Sequence, residues 1–326
     1  MIMAETMESV SKNKLTEEKI RELAAIAFPD KAVSEIAELN AGMCNALYRV
    51  TFTDGFRTVL KVSSPGMHGK ASNERWLMES ETAAMRLIAE RAPLVKAPKV
   101  LFYDDSMTHC SGKYFFMEYV DGDLMMERRK DLTEDEAKKL YTEMGRSVRR
   151  IAEVKNDSFG IVNSGIPFDS LYGLVNQLIG NVVGDLERAG ADMGVNGTEI
   201  LGQLLADKPY FDEVTEPSLV HFDIWENNII VCGDEIAGIL DWERALWGEP
   251  LMEDRFRSYG MNPYFLEGFG QTEFTGSEQR RLIWYNIWIN LAFMGEHYTR
   301  MYGDEESFRR TRDRMLTHWN QLSDAE

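Results

Sequence analysis

Apolar residues recur at helical spacing along LTEEKIRELAAIAF, Leu15 to Phe28, behind a first turn rich in acids. That pattern predicts an amphipathic helix. Short apolar runs follow. LYRVTFT, the dipeptide Asp54-Gly55 and FRTVLKV predict a hairpin, because Asp-Gly supplies the positive φ angles of a tight type I′ turn. A two-residue turn there would pair Val50 with Val59 and Tyr48 with Lys61. Helical spacing returns over Asn73 to Arg91, and strands are expected in APKVLFYDD and KYFFMEYVDGD. Residues 1–120 are therefore expected to form a small α+β lobe.

Beyond Asp121 the pattern is mainly helical. LTEDEAKKLYTEMGRSVRRIAEV predicts a long amphipathic helix, with Thr133 and Glu136 at capping-box spacing. Further helical stretches fill Leu171 to Leu205 and the residues from Ser277 onward, where Trp284, Tyr285, Trp288, Tyr298 and Trp319 read as core aromatics. The one strand-like interruption expected surrounds HFDIWENNIIVCGDEIAGILDWE, which begins at His221. Two domains are expected, 1–120 and 121–326, with a hinge-like connection near Asp121 to Asp123.

Composition narrows the class. The 326 residues are 44% hydrophobic, which suits a folded globular protein. No apolar run approaches the roughly 20 residues of a membrane span, and the polar, acidic N-terminus does not read as a secretory signal, so a cytoplasmic protein is expected. Cys44, Cys110 and Cys232 are odd in number and far apart, and read as free thiols rather than as a disulfide frame or a zinc site. With 36 basic against 54 acidic residues the net charge is -18, and the basic stripe that binds phosphate backbones is missing; neither nucleic acid nor membrane is an expected partner. Such acidity serves solubility, or it marks a cleft that attracts a cationic small molecule; net charge does not separate the two.

The candidate chemistry lies in HFDIWENN. Ile229–Cys232 and Ile236–Leu240 flank Gly233-Asp234, a turn signal, so a hairpin would bring Asn228 and Asp241 within about one cross-strand step, with Asp223 in the preceding loop. Two carboxylates and an amide oxygen at one hairpin end are hard donors that suit Mg²⁺. The order H-x-D-x-x-x-x-N with a later Asp is the catalytic-loop arrangement of kinase-type phosphoryl transfer; the plainer alternative is a polar loop of Asx turns. Upstream, Lys61 on an apolar strand needs an anionic partner or a route to water. NAGMCNALYRV, with Gly42 and Asn45, offers a turn whose N–H groups would cover phosphates, although it lacks a full G-x-G-x-x-G. Glu79 and Glu81 both stand as partners for Lys61.

The order of loop, Lys61, helical glutamate, FFMEYVDG, HFDIWENN and GILDWERALWGEP resembles the aminoglycoside phosphotransferase and choline-kinase-like superfamily, from about Ile36 to Trp288. The resemblance implies an α+β, protein-kinase-like bilobal fold, with a small antiparallel-sheet lobe for the nucleotide and a larger, mainly helical lobe. It implies Asp223 as catalytic base, Asn228 and Asp241 as Mg²⁺ ligands, and Lys61 on the α- and β-phosphates. It also implies Glu81, ahead of Met85, as the better partner for Lys61, and backbone groups of Glu118 and Val120 at the adenine edge. Phe222 stands where the family often has Gly, Trp225-Glu226-Asn227 stand for His-Pro-Gly, and Glu253 and Asp254 compete for one acidic position. His221 reads as a buried structural residue, and the absence of DFG removes activation-loop control.

The expected activity is transfer of the γ-phosphoryl group of ATP or GTP to a hydroxyl of a small, amine-bearing acceptor such as an aminoglycoside. Choline, ethanolamine, macrolide or sugar-metabolite kinases, or a nucleotide-binding scaffold without turnover, are the alternatives, in a monomer or homodimer. Asp223 is expected to work near the ordinary carboxylate pKa of about 3.9. The acceptor is expected near Trp225 and Glu226, with Glu249, Glu296 and Asp304 drawing its amine.

Overall fold

Thr16 accepts a hydrogen bond from the Lys19 N–H at 3.2 Å and so starts α1, Glu17–Ala27, within the helix expected over Leu15 to Phe28. The structure, a computed structural model, describes residues 13–39, 45–64, 71–299 and 304–323. Gly42 and Cys44, and with them most of the turn expected to cover phosphates, lie outside the described residues. Two compact units are present, one within Met1–Gly69 and Ala97–Asp121, the other within Lys70–Lys96 and Gly122–Glu326.

In the first unit, β1 (Val33–Leu39), β2 (Ala46–Phe52), β3 (Arg57–Val62), β4 (Val100–Asp104) and β5 (Tyr114–Glu118) form an antiparallel sheet in the order β1-β2-β3-β5-β4. Ile20, Leu23 and Ala24 of α1 pack with Tyr48, Val50, Leu60, Val62, Tyr114 and Phe116. The expected hairpin is present, but its register is one residue away from the expected one: Leu47 pairs with Lys61 and Tyr48 with Leu60. The loop is longer than a two-residue turn. Phe52 and Phe56 close it, with the Phe52 N–H on the Phe56 carbonyl at 2.8 Å and the Gly55 N–H on the Phe52 carbonyl at 2.9 Å. Gly55 takes φ +83° while Asp54 stays out of the left-handed region, which is the three-residue loop with a glycine bulge. A one-residue slip moves every side chain to the other face. Lys61 therefore lies on the face of Leu47, Val59, Phe115 and Met117, away from the core beneath α1.

The second unit holds α2 (Leu77–Arg91), α3 (Met125–Arg128), α4 (Glu134–Ala152), α5 (Leu171–Arg188), α6 (Gly197–Ala206), α7 (Lys208–Asp212), α8 (Pro263–Phe269), α9 (Gly276–Thr299) and α10 (Glu305–Ser323). The Thr133–Glu136 capping box forms at the start of α4, whose apolar stripe of Leu140, Met144, Val148 and Ile151 is buried. Trp284, Tyr285 and Trp288 are core residues of α9, whereas Tyr298 near its end is 39% exposed and Trp319 is half-buried. The expected hairpin joins β6 (Asp123–Leu124) in a sheet ordered β10-β9-β6, where β9 is Ile229–Cys232 and β10 is Glu235–Ile239. A further sheet, ordered β7-β11-β8, runs from β7 (Gly160–Ile161) through β11 (Leu246–Gly248) to β8 (Ser218–Val220). The expectation of a single strand-like interruption therefore fails, because strands of two or three residues are too short to display a period of two. Among the described residues no helix is long and apolar enough to cross a membrane.

Candidate active site

β8 delivers the chain into His221, which is fully buried. Its Nε2–H donates to the Leu240 carbonyl at 2.9 Å and its Nδ1 accepts the Asp223 N–H at 3.2 Å, which assigns the tautomer. The ring stands edge-on to Trp242 at 4.4 Å, and burial lowers its pKa, so His221 is a neutral strut between loop and hairpin.

The next residue, Phe222, has φ +80°. Its N–H donates to Glu253 Oε2 at 2.9 Å, and the Ile224 N–H donates to Glu253 Oε1 at 2.7 Å. Of the two acids that competed for one position, Glu253 holds the loop. Asp254 instead receives Arg255 at 3.0 Å and Arg257 at 2.7 Å. Asn228 Nδ2 donates to the Asp223 carbonyl at 2.8 Å and to its Oδ2 at 3.1 Å. The Leu240 N–H donates to the Asn228 carbonyl at 2.8 Å, so Asn228 and Asp241 are neighbours at the hairpin end, as their spacing predicts. Asp241 has φ 63° and ψ 61°, a left-handed backbone uncommon outside glycine and asparagine.

Burial pushes the Asp223 carboxyl up to about 7; Arg244 and Arg257 favour its charged form, while Asp241 and Asp254 oppose it. The ordinary value near 3.9 expected from the sequence is corrected by this desolvation. A carboxylate so placed is a better base near neutral pH.

Carboxylate oxygens of Glu81, Asp241 and Glu243 lie within 4.8 Å of one another. Glu81 is almost fully buried on α2, whereas Glu79 is half-buried. These three carboxylates are hard oxygen donors of the kind that fits Mg²⁺, and Asn228 lies next to Asp241 along the hairpin backbone. Glu243 was not anticipated; its signal was its place two residues after Asp241, in the single 3₁₀ turn Trp242–Arg244. Lys61, 5% exposed, belongs to the first unit, as do Asn45 just before β2, Glu118 at the end of β5, and Val120. The Glu118 N–H donates to the Lys99 carbonyl at 3.0 Å.

Glu226, expected near the acceptor, and the three acids expected to draw its amine have other partners. Glu226 is buried and accepts the Tyr141 hydroxyl at 2.5 Å and Arg255 Nη1 at 3.2 Å. Glu249 is buried against Arg281 at 2.7 Å and the Tyr285 hydroxyl. Glu296 receives Arg244 at 2.6 Å, and Asp304 accepts the N–H groups of Glu306 and Ser307 at the start of α10. The buried carboxylates of Glu226, Glu249 and Glu296 require such partners and serve the framework, whereas Asp304 is exposed and caps α10.

The sequence pattern that defines the phosphotransferase enzyme family matches residues 35–253. No curated protein matches the chain in sequence. Among solved structures, a candidate aminoglycoside phosphotransferase from Ralstonia eutropha JMP134 is similar at TM-score 0.67 and 13% identity, over 96% of this chain and 100% of that one. The streptomycin–ATP ternary complex of APH(2")-IIa is similar at TM-score 0.61 and 14% identity, over 93% and 97%. A candidate fructosamine-3-kinase from Thermobifida fusca is similar at TM-score 0.61 and 16% identity, over 91% and 99%. At such identities the likeness speaks for the fold. The chain belongs to the phosphotransferase enzyme family, with the α+β, protein-kinase-like fold of the aminoglycoside phosphotransferases.

Proposed function

We propose that this kinase-type phosphotransferase moves the γ-phosphoryl group of ATP or GTP onto a hydroxyl of a small molecule. The observation that carries the reading is the loop in which Asp223 is oriented by Asn228 and by Glu253, next to the oxygen cluster of Glu81, Asp241 and Glu243. Asp223 Oδ2 is engaged by Asn228, so Oδ1 is assigned to the acceptor hydroxyl, whose proton it takes as the new P–O bond forms. Its raised pKa suits that work near neutral pH.

Asn228 and Asp241, with Glu243, would hold Mg²⁺, which when bound neutralises the charge of the phosphates. On the strength of the resemblance Lys61 is assigned to the α- and β-phosphates with Glu81 as its partner, and backbone groups of Glu118 and Val120 to the adenine edge; Asn45 is assigned to the loop over the phosphates from the turn signal of its own segment. In this reading residues 1–120 serve chiefly the nucleotide and 121–326 the acceptor and the chemistry. An amine-bearing acceptor such as an aminoglycoside is proposed because a protein of the same fold holds streptomycin together with ATP; the net charge of -18 accords with such an acceptor but does not select it. Glu226, Glu249 and Glu296 are not its anchors, since each is paired with an arginine.

The test is ADP release from Mg²⁺-ATP and Mg²⁺-GTP over a panel of amine-bearing alcohols, with Asp223→Asn as control. Loss of the base should lower acceptor-dependent turnover roughly 10²–10⁴-fold. Turnover in the wild type no higher than in Asp223→Asn, across the whole panel, would sink the reading.

A further inference from the structure

Phe222 is a bulky residue held where glycine is at ease. Its φ of +80° places it in the left-handed region, an outlier for an aromatic side chain, yet it is 3% exposed and gripped at every polar main-chain atom. Glu253 takes its N–H, and Arg257 Nη2 donates to its carbonyl at 3.0 Å. The Arg257 guanidinium also stands 4.3 Å from the centre of the Phe222 ring, a cation–π contact, while Trp288 packs on that ring at 4.7 Å. Arg257 is itself 2% exposed, and its charge is met by Asp254 at 2.7 Å and the Tyr259 hydroxyl at 3.2 Å. One buried side chain therefore touches both the carbonyl and the ring of the residue that precedes Asp223.

The backbone angles of residue 222 set the direction in which residue 223 leaves it. If Phe222 relaxed to negative φ, the following peptide would rotate, and Glu253 would no longer reach the N–H groups of residues 222 and 224 together. The Asp223 carboxylate would then leave the position in which Asn228 meets it.

We propose that Arg257 is a positioning residue for Asp223: its hold on the Phe222 carbonyl and ring enforces the left-handed backbone that aims the carboxylate. Asp254 keeps Arg255 as a partner when Arg257 is removed, so the device can be broken without stranding a buried charge. The assignment rests on the reading of Asp223 as the base, and it extends that reading to a residue 34 positions away.

Arg257→Met keeps much of the stem and removes the donors. Hydrogen exchange of the Phe222 and Ile224 amides should then speed up about tenfold or more, with α5 and α9 unchanged. Turnover of Mg²⁺-ATP should fall roughly 100-fold, with KM for ATP nearly unchanged, as for a misplaced catalytic group. Adding Phe222→Gly to Arg257→Met should restore both exchange protection and most of the turnover, because glycine adopts the conformation unaided. A merely structural Arg257 would give the opposite result, since losing the ring as well would worsen the damage. If Arg257→Met does not fold, Arg257→Lys, which reaches Asp254 or the carbonyl but not both, is read in the same way. Unchanged exchange in the arginine variants, or failure of glycine to rescue them, overturns the proposal. Undiminished turnover in Asp223→Asn strikes the base reading instead, so the two failures are told apart.

Discussion

Glu253 Oε1 accepts the main-chain N–H of Ile224 at 2.7 Å, joining residues 29 positions apart at the centre of the loop that carries Asp223. The same carboxylate takes the Phe222 N–H through Oε2, so one side chain satisfies two buried donors of the segment from both of its oxygens. A charge-assisted bond of this kind is stronger than one between neutral groups, and a buried donor left without it is costly.

Glu253→Ala should therefore destabilise the protein by about 3 kcal/mol or more, since it leaves buried N–H groups unsatisfied. It should also reduce phosphotransfer through disorder of the Asp223 loop. Urea unfolding of the second-unit transition measures the first effect, and a loss below about 1 kcal/mol would contradict it.

The Glu226 carboxylate is disfavoured by burial, but Arg255 and the Tyr141 hydroxyl outweigh this and hold its pKa below the ordinary glutamate value. Because the folded pKa is depressed, the stability it contributes is fully present above the unfolded value and is lost as pH falls through the folded one. Glu226→Gln should cost on the order of 2–3 kcal/mol at pH 7, and the gap from the wild type should close on acidification below about pH 4. Thermal melts of both proteins across that range decide it; a gap independent of pH would rule out the ion pair as its cause.

Glu243→Gln removes one of three carboxylates that lie within 4.8 Å of one another. Binding of Mn²⁺, followed by electron paramagnetic resonance as a stand-in for Mg²⁺, should weaken by roughly tenfold or more, about 1.4 kcal/mol. An unchanged affinity would remove Glu243 from the cation site while leaving Asn228 and Asp241 open to test.

Gly55 closes the β2–β3 loop at φ +83° with open space around it, so an added methyl meets no clash and acts through the backbone alone. Gly55→Ala should destabilise the protein by about 1 kcal/mol, and Gly55→Asn by less, because asparagine tolerates the left-handed region. Equal stability of all three proteins by denaturant titration would show that the loop does not need this conformation.

Local spacing alone determined much of this protein. The helix over Leu15 to Phe28, the cap at Thr133, the turn at Gly233-Asp234, and the meeting of Asp223, Asn228 and Asp241 all follow from turn chemistry and short periods, which act over a few residues. The left-handed backbone at Phe222 was foreshadowed only by the family's preference for glycine there. Packing decided the rest. The one-residue slip that carries Lys61 to the other face depends on which carbonyl Phe52 meets, and a two-residue and a three-residue loop share the same Asp-Gly signal. The arginines that occupy Glu226, Glu249 and Glu296 lie 29 to 52 residues from them, beyond the reach of any periodicity. The pKa of Asp223 is set by desolvation, which exists only once the chain has closed around it.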